Sequence, residues 1–87
     1  MSQLRFTAHA LEEMQRRGIA REQVEAVLSQ PEQILLGRNR RTIYQSRIRF
    51  DGEKQYLLRV FVDETISPSV VITVYRTSKI QKYWRMS

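Results

Sequence analysis

From Arg41 to Arg76 the chain alternates apolar and polar residues in three successive segments, a period that only β-strands share. Arg41 to Phe50 is the first of these, with Tyr44, Ile48 and Phe50 on one face and Arg47 and Arg49 on the other. Asp51-Gly52 closes it as a hairpin signal. Lys54 to Asp63 follows, with Tyr56, Leu58, Val60 and Val62 on one face and Leu57, Arg59 and Phe61 behind. Ser69 to Arg76, beyond a Ser67-Pro68 turn, alternates Val70, Ile72 and Val74 with Val71, Thr73 and Tyr75. A shorter strand, Gln33 to Leu36, precedes them across a basic turn at Gly37-Arg38-Asn39-Arg40.

The first third reads as helices. Thr7 is an N-cap for a helix from Ala8 to Arg17, ended by Gly18, with Ala10, Leu11 and Met14 as its apolar stripe. A second helix runs from Arg21 to Ser29, with Val24, Val27 and Leu28 on one side and Pro31 as its stop. Gly18-Ile19-Ala20 is short, so the helices form a hairpin. Leu4-Arg5-Phe6 is a short strand or an extended lead-in. These elements predict a single α+β domain over residues 1–87, a helix hairpin packed on one face of a four-stranded antiparallel sheet.

That leaves the second face of the sheet with Arg47, Arg49, Arg59, Thr73 and Tyr75 beside Leu57, Phe61 and Val71. Arginine binds phosphate and aromatic rings stack on bases, so the face suits single-stranded RNA. Two other readings fit the same residues. The arginine stems simply cover Leu57 and Phe61, or a protein covers the apolar patch, either an acidic partner or a second copy. Charge supports a polyanionic partner. Residues 38–87 hold eleven basic and four acidic residues, and the whole chain carries +6.

The run Thr77 to Arg85 has no acidic residue. Ile80, Tyr83 and Trp84 fall at helical spacing, capped by Thr77 or Ser78, which brings Lys79 and Lys82 near Arg76. His9 is the sole histidine and sits in the first turn of the first helix, where the helix dipole disfavours its protonated form. It is therefore a candidate general base. No spacing of His, Asp and Glu suggests a metal, no glycine-rich loop cradles a nucleotide, and no cofactor is expected. Without cysteine, thiolate sites and disulfides are excluded. Met1 to Phe6 lacks the apolar stretch of a signal peptide and Val70 to Tyr75 is too short to span a bilayer, so a cytoplasmic location is expected.

Phe6-Thr7-Ala8-His9-Ala10, Met14, Arg16-Arg17-Gly18-Ile19, Val24, Val27-Leu28 and the closing Val74-Tyr75-Arg76-Thr77-Ser78-Lys79-Ile80 with Lys82-Tyr83 resemble an uncharacterised bacterial family, domain of unknown function 4258. Ala20 departs from the hydroxyl or acidic cap expected there. The family in turn resembles the RelE, ParE and BrnT toxins. That resemblance implies a toxin of a toxin–antitoxin pair, commonly a metal-independent endoribonuclease on messenger RNA, free or on the ribosome, neutralised by a small acidic antitoxin. It implies phosphate binding by Arg59 and Arg76, proton transfer by His9 or Tyr83, and charge stabilisation by Lys79 and Lys82. ParE-like members act on gyrase instead, so a non-catalytic binding module stands as the alternative. Proximity of His9, Arg76 and Tyr83 discriminates the two.

Overall fold

In a computed structural model, which describes residues 4–50, 52 and 54–86, the helix hairpin forms as its capping residues dictate. Helix α1 spans Ala8–Arg16. Thr7 is extended and its hydroxyl accepts from the Ala10 amide at 2.9 Å. At the other end Gly18 takes φ +65, and the amides of Gly18 and Ile19 return to the carbonyls of Gln15 and Met14. This is a Schellman closure, with Ile19 and Met14 both buried beneath it. Helix α2 spans Arg21–Ser29. Ala20 offers no side-chain cap, but Gln23 accepts from the Ala20 amide at 2.8 Å and supplies half a capping box.

The sheet has five strands and is mixed, not four-stranded and antiparallel. Strands β1 (Arg5–Phe6), β2 (Gln33–Leu36), β3 (Arg41–Phe50), β4 (Lys54–Asp63) and β5 (Val70–Thr77) lie in the order β1-β5-β4-β3-β2. The last four form the expected antiparallel meander. The addition is β1, parallel to β5, with Arg5 opposite Val70 and Phe6 opposite Val71. Two residues carry no alternation to read. They are held by the Arg5 and Thr7 amides, which donate to Ser69 and Val71 carbonyls, and by the Thr7 hydroxyl, which donates to Ile72. Thr7 thus joins helix to sheet. Thr7→Ala is expected to cost about 1–2 kcal/mol, as strong N-caps do, measured by urea unfolding.

Tyr44, Phe50, Leu58, Val60, Val62, Val71 and Val74 pack beneath Ala10, Met14, Ile19, Val24 and Val27 of the hairpin. Val71 was expected on the opposite face. A bulge between Phe61 and Val62 explains the change: Phe61 faces Thr73, Val62 faces Val71, and Ile72 is the extra residue. Upstream of it the strand's phase is reversed. At the β2–β3 turn Arg38–Arg40 forms a short 3-10 helix, and at the β3–β4 turn Gly52 has φ +82 while Asp51 lies outside the described residues. No helix among the described residues is long and apolar enough to cross a membrane.

The second face is not an open patch. Leu57 is wholly buried and Phe61 is half-buried. What closes it is the chain's own end. After β5 a single helical turn, α3 (Ile80–Tyr83), leads into an extended run that crosses back over β3 to β2. The Tyr83 carbonyl accepts from the Gln45 side chain at 3.2 Å, and the Arg85 backbone makes two bonds with the Gln33 amide at 2.7 and 3.0 Å. Trp84 stacks against Arg47, the cross-strand neighbour of Leu57. Neither Thr77 nor Ser78 caps α3; Lys79 precedes it, and the Thr77 hydroxyl accepts from the Lys79 amide. Trp84 lies past the helical turn, so the spacing of Ile80, Tyr83 and Trp84 does not mark one helix face.

Candidate functional site

Register across three strands creates the site. Gln45 of β3 faces Arg59 of β4, and Arg59 faces Tyr75 of β5, so the three side chains form one row on the face away from the hairpin. Arg59 is only 8% exposed. Its Nε donates to the Gln45 Oε1 at 2.8 Å and its Nη1 to the Tyr75 hydroxyl at 2.7 Å. Tyr83, Phe61 and Tyr75 surround the guanidinium, with ring centroids 4.5, 5.3 and 5.8 Å from its central carbon. Among the described residues no carboxylate pairs with it.

A buried charge without an opposite charge is costly, and neutral oxygens and ring faces offset only part of that cost. Two bonds use two of the five guanidinium donors. No fully buried side-chain nitrogen or oxygen lacks a partner among the described residues, so the free Nη2 reaches solvent. The site therefore presents a desolvated cation with spare donors at a small opening. Burial pushes the Tyr75 phenol above its usual range, and the Arg59 bond opposes that shift without cancelling it. Tyr75 keeps its proton at neutral pH. Its oxygen accepts from Arg59, and the neighbouring Tyr83 hydroxyl adds to the upward shift.

Two features position the row. Gln45 is fully buried and held from behind: its amide donates to Gln33 at 2.7 Å and to the Tyr83 carbonyl. On the outer side β1 covers only Val70 and Val71 of β5, which leaves the later part of that edge to Arg17. Its guanidinium carbon lies 5.9 Å from the Tyr75 ring centroid while its Nε bonds Glu13 at 2.8 Å.

Hydrogen bonds from Arg17 and then Arg16 hold the Glu13 carboxyl down at about 2. A folded pKa below the ordinary 4.5 stabilises the protein above that value, and the contribution is lost as pH falls towards 2. Glu13→Gln is expected to flatten this stretch of the stability–pH curve, followed by urea midpoints across it.

The remaining candidate residues are dispersed. Arg47 shares the face, yet its backbone amide, Nε and Nη2 all bond Glu32, at 2.7, 3.1 and 3.0 Å, and its guanidinium lies over Trp84. The Arg47 bonds in turn hold Glu32 below the usual carboxylate range. Arg47 thus fastens the C-terminal run. Arg49 is exposed on the same face, opposite Gln55 near the β3–β4 turn. Arg76 faces the hairpin side, stacked over Phe50 and Tyr56 at 4.2 and 4.7 Å, across the sheet from Arg59. His9 is exposed at the start of α1, while Arg76 lies beside Gly18 at its end, and nine helical residues span about 13 Å. Lys79 and Lys82 are exposed, with the Lys82 Nζ 5.4 Å from the Tyr83 ring centroid. The fold therefore unites Arg59, Tyr75 and Tyr83, keeps Lys82 beside them, and separates His9 and Arg76 from them.

Sequence reading missed Gln45, Gln33 and Arg17. Gln45 shares the alternation phase of Arg47 and Arg49, a signal that was there to find. Arg17 carried no such signal, since it reaches Tyr75 around a sheet edge. Among the described residues there is no group of three His, Cys, Asp or Glu side chains able to hold a metal ion.

Compared with known proteins, the sequence matches the family described as Domain of unknown function (DUF4258) over residues 6–76. Neither the curated proteins nor the solved structures contain a match.

Proposed function

The chain belongs to the DUF4258 family, and we propose that it binds single-stranded RNA, with a backbone phosphate at Arg59. The observation that carries this reading is a nearly buried guanidinium that has no carboxylate partner among the described residues. A phosphate oxygen supplies the missing negative charge and accepts from Nη2. Tyr83 and Phe61, already against the guanidinium, offer ring surface to an adjoining base. Lys82 and Lys79 extend the positive field along the strand's path.

The cellular role that fits is the basic partner of a toxin–antitoxin pair acting in the cytoplasm, by fold analogy with RelE, ParE and BrnT toxins. The analogy implies two helices packed on an antiparallel sheet, and a helix hairpin over an antiparallel meander supports it in that coarse respect. A chain of charge +6 suits a small acidic antitoxin.

A second reading, RNA cleavage, is favoured by the phenols beside Arg59. The substrate 2′-oxygen would attack phosphorus and give its proton to solvent water, and the bond to the 5′-oxygen would break as that oxygen takes a proton from Tyr83, which water then restores. Arg59 would hold the phosphorane charge, leaving a cyclic phosphate and a 5′-hydroxyl. His9 and Arg76 have no part in it, because neither reaches the site.

Titrating the protein with a short oligoribonucleotide under NMR tests the binding reading. The Arg59 Nε–H and the Tyr75 and Tyr83 ring signals are expected to shift first. Shifts confined to other surfaces would refute it. Incubation of RNA in EDTA, with mass spectrometry of the ends, decides the second reading: a cyclic phosphate that disappears in Tyr83→Phe supports it, and intact RNA removes it.

A further inference from the structure

The outer edge of β2 is open, and its backbone direction is fixed by the ladder behind it. Leu35 pairs with Ile43 and Gln33 with Gln45, and Gly37 donates to the Arg41 carbonyl. Hydrogen-bonded pairs recur at every second residue of an antiparallel ladder. Gln33, Leu35 and Gly37 therefore turn their peptide groups towards β3, and Ile34 and Leu36 turn theirs outward. Among the described residues no backbone hydrogen bond from outside the sheet reaches either one. Their side chains are exposed too, Ile34 by 57% and Leu36 by 88%. Edge strands are usually blunted by Lys, Pro or a bulge against such pairing. Gln33–Leu36 contains neither residue.

We infer that β2 pairs antiparallel with β2 of a second copy, about a two-fold axis through Leu35. This register sets Ile34 opposite Leu36 of the second copy, and Leu36 opposite its Ile34. Each of those pairs exchanges two backbone bonds through the groups that point outward. The two apolar positions thus match each other about the axis, as an isologous interface requires. Moving the axis to Ile34 sets Leu36 against Glu32, whose amide is already turned inward to the Gln45 carbonyl. Moving it to Leu36 sets Ile34 against Arg38, which begins the 3-10 helix and has left the strand. A second copy is therefore the occupant that this edge fits, independently of any binding at Arg59.

The chain has no cysteine, which permits a register-specific test. About the proposed axis Leu35 faces itself in a non-hydrogen-bonded pair, with Cα atoms about 4.5 Å apart. That lies inside the range for a disulfide, whereas Ile34 and its own copy lie beyond about 7 Å. In a glutathione buffer Leu35→Cys is expected to give about tenfold more covalent dimer than Ile34→Cys. Circular dichroism verifies that each variant is folded. Should half-buried Leu35 not tolerate cysteine, Ile34→Lys with Leu36→Lys decides the matter at exposed positions. Sedimentation equilibrium is expected to show wild-type self-association weakened by about tenfold or more in that variant, since two buried apolar side chains are lost. Equal cross-linking at both positions, or a wild-type monomer at the highest soluble concentration, would overturn the inference. So would uptake of a foreign acidic strand at β2 by a protein that stays monomeric.

Discussion

Arg59→Met is expected to weaken single-stranded RNA binding by about ten- to a hundredfold while changing stability by no more than about 1 kcal/mol. The first figure follows from losing a charge-assisted bond to phosphate, worth about 1.5–3 kcal/mol. The second follows from opposing effects on folding. Methionine leaves Gln45 Oε1 without its donor, which costs stability, yet it also removes an unpaired guanidinium from a site only 8% exposed. Replacing buried charge by apolar volume is often neutral or favourable. A residue held for structure alone would behave differently, lowering the unfolding midpoint and leaving RNA affinity unchanged. Fluorescence anisotropy and urea unfolding on the same preparation separate the two.

Gln45→Ala carries the largest expected effect on stability, about 2–4 kcal/mol. One buried amide meets Arg59 Nε, Gln33 Oε1 and the Tyr83 carbonyl. Removing it leaves several buried groups unsatisfied, each costing about 1–3 kcal/mol where water cannot replace the bond. The C-terminal run rests on the same amide, so it should loosen first. Limited proteolysis is expected to cut between Lys79 and Arg85 in Gln45→Ala well before the wild type. Thermal unfolding should show a drop of roughly 8 °C or more for a domain of this size.

The helices and the meander were legible because capping and alternation are local. Thr7, Gly18 and Pro31 bound the hairpin, and β3 and β4 show their faces in every second residue. Three features depend on partners distant in sequence. Arg5–Phe6 is too short for periodicity and becomes a strand only because β5 lies beside it. The bulge at Ile72 reverses a phase in a segment where both faces are apolar, so Val70 to Val74 alone could not reveal it. The C-terminal run looks like an amphipathic helix until Gln33, Gln45 and Arg47 capture its backbone and its tryptophan.

The site was half legible for the same reason. Arg47, Arg49 and Arg59 do share a face, but composition cannot tell that Glu32, fifteen residues away, takes up Arg47. Arg59 is the buried one, held between Gln45 and Tyr75, and only register identifies it. His9 drew attention as the single histidine, and helix length placed it away from Arg76. Tyr83 was expected in a helical cluster with Lys79 and Lys82, and its actual role beside Arg59 depends on the turn after β5.

The central claim is that Arg59 receives a backbone phosphate of single-stranded RNA. Affinity for a fluorescent oligoribonucleotide, followed against salt in the wild type and in Arg59→Met, tests it most directly. Each phosphate contact contributes a slope of about −0.7 to log affinity against log salt for single strands. The account predicts steep salt dependence in the wild type, and in Arg59→Met a lower affinity with a slope shallower by about 0.7. Equal affinity and equal slope in the two proteins would contradict it.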